Sequence, residues 1–253
     1  MAAQSIRYTA LTMWSPLQEA TVWMGAWLYG LEPADELLRA LGPSTAPDFP
    51  VFMDFLSHVR THCAPVLGNA AGPALRLILS APGSPPLLPA GGAAAEEALR
   101  NPFGAIAARG KEHHLIIFVR SPGEWVAIPE HRPLPAPAWL SPGEADAMLA
   151  QATNEAADLI EASGFKADPL HNPRLLVGRL EDFHEAPGMP SCTPVRATRL
   201  FARADRVAAI VEAVTEWVGD RRFDPQLLRL TRHVNLARMT GVAYCLNEFA
   251  RGA

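Results

Sequence analysis

Between Ser15 and Gly30 the chain reads Ser-Pro-Leu-Gln-Glu-Ala-Thr-Val-Trp-Met-Gly-Ala-Trp-Leu-Tyr-Gly, and past Glu19 it carries almost no polar side chain. Ser15-Pro16-Leu17-Gln18 has the form of a capping box, with Pro in the first helical position, so a helix is predicted to start there and end at Gly30. A helix apolar on nearly all sides must be covered on nearly all sides. It is therefore either the central helix of a core or, if cover within the chain falls short, a homodimer contact built on its two tryptophans. It is no membrane span: the most apolar run, Ala20 to Leu31, is shorter than the roughly 20 residues needed.

Two more helices follow. One runs from Pro33 to Leu41 and is closed by Gly42 and Pro43; the next is capped by Asp48 and sets Val51, Phe52, Phe55, Leu56 and Val59 on one face. Around Pro73 the texture changes. Leu75 to Leu79 reads as a strand entering a proline- and glycine-rich loop from Ser80 to Gly92, then an alanine-rich helical turn from Ala93 to Leu99. His114 to Val119 is a second strand, and Ser121-Pro122-Gly123-Glu124 predicts a type II turn that returns Glu124 to Ile128 antiparallel. Pro129 to Pro142 is an extended, proline-stiffened connector.

The remainder is helical. Ser141-Pro142-Gly143-Glu144 is a second capping box, opening a helix that turns Met148, Leu149, Ala152, Ala156, Leu159 and Ile160 inward and stops at Gly164. A shorter helix is predicted from Pro173 to Glu185, a long one from Pro194 to Val218, and a last one from Asp224-Pro225 almost to the C-terminus. Leu200, Ala204, Val207, Val211, Val214 and Val218 form a narrow seam, matched by Leu227, Val234, Gly241, Cys245 and Phe249, so these two helices should pack antiparallel. The expected fold is α+β and mostly helical. A small, about three-stranded, largely antiparallel sheet (73–130) lies between an N-terminal helical layer (1–70) and a C-terminal helical group (141–253), all in a single compact domain, 1–253.

Charge narrows the partners. The 253 residues carry a net −4, which disfavours nucleic acid, yet the ten arginines and six acids from Ser191 onward make the C-terminal quarter basic. Only Lys111 and Lys166 are lysines; with so much alanine and proline, GC-rich codon usage accounts for the arginine skew. Cys63, Cys192 and Cys245 are odd in number and far apart, which fits no disulfide framework and suggests a reducing compartment. Met1 to Arg7 lacks a secretory layout, so a cytoplasmic protein is expected. No Gly-x-Ser-x-Gly, Gly-Lys-Ser/Thr or Gly-x-Gly-x-x-Gly stretch is present, and no cofactor is implied.

The most suggestive constellation is Arg196, Arg199, Arg203 and Arg206, spaced to form one ridge beside the apolar seam of the long helix. Four guanidinium groups this close need counter-charges. Acidic residues of the same chain, a second subunit, or an anionic ligand or acidic protein could supply them. His58 and His62 stand at i and i+4, a metal-ligand spacing, although Val59 replaces the Glu of the zinc protease pattern and no third ligand is identifiable; satisfied histidines are the plainer reading. His113, His114 and His184 could join them only if the fold brings them together. Cys63 sits near a helix C-terminus, which does not activate a thiol. The Ser80–Gly92 loop has no titratable side chain, so it can shape a pocket but do no acid/base work.

Leu75 to Gly83 with Leu88-Pro89-Ala90-Gly91, and the helix from Arg196 to Leu200 and on through Ala204 to Ala209, resemble segments of a family of functionally uncharacterised actinobacterial proteins. The resemblance covers about a fifth of the chain and departs at Ser84, where the relatives usually carry an acid after Pro-Gly. It implies a bacterial cytoplasmic protein and carries over no activity. The functional expectation is thus a non-catalytic binding or interaction protein that uses the arginine ridge against an acidic partner or small anion. The alternative is an enzyme whose acid/base residues, such as His58, His62 and His184, or whose metal site assemble only in the fold.

Overall fold

The computed structural model describes residues 16–45, 49–68, 72–81, 83–101, 104–120, 124–162, 188–218 and 224–252. The helices are α1 (Pro16–Leu28), α2 (Ala34–Thr45), α3 (Phe49–Cys63), α4 (Ala93–Arg100), α5 (Pro142–Ala162), α6 (Val195–Val218) and α7 (Asp224–Gly252). The strands are β1 (Leu75–Ile78), β2 (Ala105–Arg109), β3 (His114–Arg120) and β4 (Glu124–Glu130), paired antiparallel in the order β1-β2-β3-β4. The fold is α+β and mostly helical, as the periodicities predict, but with four strands where three were expected. The missed strand is β2, Ala-Ile-Ala-Ala-Arg, which separates β1 from β3. Alanine is a weak strand former, so only its central place between two stronger strands makes this segment extended.

Every side chain from Leu17 to Leu28 is buried within the chain, which answers the demand set by α1 without a second copy. The cover comes from one face of the sheet and from α2, α3 and α7. Leu75, Leu77, Ile106, Ala108, Leu115, Ile117 and Val119 point toward these helices. The alternate residues Ile78, Ala105, Ala107, Ile116 and Phe118 pack instead under Leu88 and α4. This two-faced pattern is the period-two alternation of a sheet covered on both sides. Two glycines set helix spacing. A Cβ on Gly25 would lie 2.2 Å from the Leu246 side chain, and one on Gly241 would lie 2.4 Å from the Phe201 ring. Phe201 faces Gly241 while Asp205 bonds Arg238, so α6 and α7 run antiparallel as predicted. Their seam residues Leu200, Ala204, Val207 and Val211 meet Leu227 and Val234 and the α5 residues Ala145, Leu149, Ala152 and Ala156 in a separate core.

Other expectations need correction. α2 continues through Gly42 and Pro43 to Thr45; a proline so near a helix end removes a bond only where the ladder already frays. Val51, Met148 and Leu159, assigned inward by spacing, are exposed, because each lies at the margin of an apolar stripe wider than the surface its helix buries. Ser15, Asp48, Gly164, the expected helix from Pro173 to Glu185, and His184 lie outside the described residues. No described helix is long and apolar enough to cross a membrane.

Candidate functional site

The start of α5 is fixed by its capping box. The Glu144 amide donates to Ser141 Oγ at 3.2 Å, and the Ser141 amide donates to Glu144 Oε2 at 2.7 Å. Beside it, α6 begins where the Ala197 and Thr198 amides donate to the Pro194 carbonyl. The predicted ridge therefore lies against the entry of α5. Arg196, Arg199, Arg203 and Arg206, all exposed, line a cleft of about 580 Å³ together with Ser141, Pro142, Gly143 and Asp146. The four are not equivalent. Arg203 Nε bonds Asp146 Oδ1 at 2.9 Å, and Arg206 is also engaged. Among the described residues no acidic side chain pairs with Arg196 or Arg199. Of the ridge, Arg203 is thus paired with an acid of the same chain, whereas Arg196 and Arg199 meet no acidic partner among the described residues.

Arg196, Ser141 and Pro142 also line a second, larger space of about 810 Å³. It runs beside edge strand β1, where Leu75, Arg76 and Leu77 line it in succession after Pro73 and Ala74, so both faces of the strand contribute. The proline connector and α7 form its other walls, with Leu134, Trp139, Leu236, Met239 and Tyr244 among the lining. The Ser80–Gly92 loop supplies Ser84, Pro85 and Leu87, the pocket-shaping use that its composition allows. Three contacts hold that wall. Asn235 Nδ2 donates to the Ser80 carbonyl at 3.1 Å, and the Leu79 amide donates to Met239 Sδ at 3.3 Å. The Arg232 guanidinium tip occupies the place where Gly83 would carry a Cβ, and the positive φ of +71° there favours glycine. Farther along, Arg132 grips Glu130 through Nε and Nη2 (3.0 and 2.8 Å) and donates from Nη1 to the Ala90 carbonyl at 2.8 Å. That fork holds the Glu130 carboxyl down at about 2 and ties the loop to the end of β4.

Four arginines line the larger cavity, Arg76, Arg109, Arg196 and Arg232, together with His114, whose pKa burial and the nearby arginines push down; no described carboxylate lines it. Arg76 Nη1 donates to the Pro135 carbonyl at 2.7 Å while Nη2 is buried without a hydrogen-bond partner among the described residues. Arg109 reaches the Gly72 carbonyl. Spacing alone could not reveal this set, because its members come from β1, β2, β3, α6 and α7.

The histidines assemble differently from the metal pair considered above. His62 packs under the β2–β3 turn, where a Cβ on Gly110 would meet its ring at 2.3 Å, and its ring lies 4.8 Å from that of His113, which lies 4.8 Å from that of His131. His58 is exposed. Among the described residues no three His, Cys, Asp or Glu side chains are placed to hold a metal ion. Burial, reinforced by His113, pushes the His62 pKa down. Cys63 and Cys245 are buried and their thiols pushed up to about 12, so neither is an activated nucleophile.

The first turn of α1 buries a carboxyl. Glu19 is only 4% exposed, its Oε1 has no hydrogen-bond partner among the described residues, and burial together with nearby Asp205 raises its carboxyl to about 7. Asp205 in turn accepts from Arg238 Nη2 at 2.8 Å, an arginine only 2% exposed in the middle of α7.

Neither a curated protein nor a solved structure matches the chain. Two family models do, and they meet at the start of α5: an Rv1486c-like protein N-terminal domain over residues 18–141 and an Rv1486c-like protein C-terminal domain over residues 143–239. Both spaces described above lie across that junction, lined by residues from each side of it. In agreement with the actinobacterial resemblance of the β1 loop and the arginine-bearing helix, the chain belongs to the Rv1486c-like family.

Proposed function

We propose that this protein is a non-catalytic, cytoplasmic binding protein that captures a small anion in the cleft between the starts of α5 and α6, with Arg196 and Arg199 as the recognising groups. One observation carries the reading: two neighbouring exposed guanidinium groups line a concave site and have no acidic partner among the described residues, while Arg203 on the same ridge is already paired. Guanidinium forks suit carboxylate or phosphate oxygens, and the positive end of α5 adds a weaker attraction of the same sign. Arg203, held by Asp146, keeps α6 in place against α5 while the mouth stays open. A cytoplasmic location is supported by three unpaired cysteines. The net negative charge of the chain favours a small anion over a nucleic acid.

The test is a titration with inorganic phosphate at constant ionic strength, followed by thermal denaturation, because a ligand that binds only the native state raises stability by RT ln(1 + [L]/Kd). Phosphate should raise the melting temperature of the parent more than chloride does. The Arg196→Glu/Arg199→Glu double variant should lose that increment, and Arg251→Glu, which alters an exposed arginine paired with Glu248 at the far end of α7, should keep it. An increment of equal size in the double variant would place the anion elsewhere and defeat the proposal.

A further inference from the structure

The cavity beside β1 adds a second half to the proposed anion site. We infer that the ligand is an amphipathic carboxylate, an acyl chain lying in the cavity between β1, the proline connector and α7 with its carboxylate at Arg196. This rests on the anion-binding reading above and extends it.

Three features of the cavity select that class. Its volume, about 810 Å³, lies within the roughly 300–1,000 Å³ typical of small-molecule sites. Its walls are largely hydrocarbon, from Leu77, Leu79, Leu134, Leu236 and Met239, which suits a flexible apolar body and offers few fixed polar partners to a sugar or nucleobase. The charge on its lining is of one sign: Arg76, Arg109, Arg196 and Arg232, with no described carboxylate. Arg76 is tethered to the Pro135 carbonyl and has no ion-pair partner among the described residues, so its positive field acts inside a poorly solvated space. An apolar ligand without charge would leave that field uncompensated. A compact anion without an apolar body would leave the hydrocarbon wall wet.

Orientation follows from the shared residues. Arg196, Ser141 and Pro142 line both the cavity and the arginine cleft, so Arg196 stands where the two spaces meet. Arg196 and Arg199 have no carboxylate partner among the described residues, whereas Arg76 and Arg109 are held by the carbonyls of Pro135 and Gly72. The carboxylate therefore belongs at Arg196 and the chain along β1.

Calorimetric titration of the full chain with dodecanoate below its micellar concentration tests this, with dodecanol as the uncharged control, and acetate and inorganic phosphate as anions lacking the chain. Dodecanoate should bind saturably, at least tenfold more tightly than any of the three. Arg196→Glu should weaken dodecanoate at least tenfold. Ala243→Phe, which fills the cavity from α7, and Ala138→Phe, which fills it from the connector, should each weaken dodecanoate while leaving phosphate binding unchanged. Two positions on opposite walls guard against one variant failing to fold. Phosphate binding with dodecanoate no tighter than acetate would overturn this inference and leave the anion site standing. Dodecanol binding as well as dodecanoate would overturn the role given to Arg196. No saturation by any anion, whether because another part of the chain fills the space or because it is closed, would remove both.

Discussion

Replacing Glu19 by glutamine should stabilise the protein at alkaline pH and leave it nearly unchanged in acid. The carboxyl sits in the first turn of α1, 4% exposed, near the carboxylate of Asp205, and titrates at about 7 instead of the ordinary 4.5. Burial is the larger cause and the like charge of Asp205 the smaller. A carboxyl with its pKa raised in the folded state binds its proton more tightly there than in the unfolded chain, so the native state loses stability as pH rises from 4.5 to about 7 and stays at that lower level above it. The loss is on the order of 3 kcal/mol, at about 1.36 kcal/mol for each pH unit of displacement. Glutamine keeps the shape and removes the charge. At pH 8 Glu19→Gln should therefore gain on the order of 3 kcal/mol, roughly 6–12 °C in melting temperature for a chain of this size, whereas at pH 4, below both values, it should nearly match the parent. Urea denaturation of both chains at the two pH values measures the difference directly, and effects shared by both cancel. A variant no more stable than the parent at pH 8, or a difference equal at both pH values, would refute the assignment of a strained, buried carboxyl to α1.

Three further outcomes follow from the packing. In the Glu19→Gln background stability should fall as pH drops below 6.5, because burial lowers the pKa of both His62 and His114, and the unfolded chain takes up the proton first; denaturation between pH 8 and 5 shows it, His62→Gln should flatten it, and a Glu19→Gln curve without slope would contradict it. Gly241→Ala should destabilise by about 1–3 kcal/mol despite alanine's better helix propensity, since the new methyl meets the Phe201 ring, and Phe201→Leu in the same chain should recover part of the loss; unchanged thermal stability would mean that α6 and α7 can separate freely. A disulfide thiol reagent should titrate Cys192 alone in the native protein and all three cysteines after denaturation, because Cys63 and Cys245 are fully buried; two or more rapid native thiols would contradict that core.

Local signals carried far along this chain. The Ser141–Glu144 capping box, the proline connector and the seam of α6 from Leu200 to Val211 are short-range devices whose meaning lies in a few neighbouring residues, and the structure places them as read. β2 was not legible, because Ala-Ile-Ala-Ala-Arg has no strand preference of its own and is extended by partners on both sides. Nor was the choice between inward and outward at Val51, Met148 and Leu159, which depends on how much surface a neighbour covers. The arginine ridge was visible as spacing, but its division was not. Asp146 neutralises Arg203 because α5 lies alongside α6, a tertiary fact with no local signature. The cavity was still less visible, since its cationic residues are scattered from Arg76 to Arg232 and only the antiparallel sheet and α7 bring them together.

The division of the ridge gives α6 two tasks. At its middle, Arg203 reaches Asp146 of α5 and Asp205 reaches Arg238 of α7, so the helix is tied to both neighbours within a single turn. Toward its start, beyond those ties, Arg196 and Arg199 carry charge that no described residue of the chain compensates, and they do so where the connector enters α5 and the N- and C-terminal domains of the family meet. Excess charge placed at a junction couples recognition to assembly. An anion held at Arg196 with its apolar body along β1 would touch residues from both sides of that boundary, so its binding free energy adds to the stability of their packing as well as to the site itself.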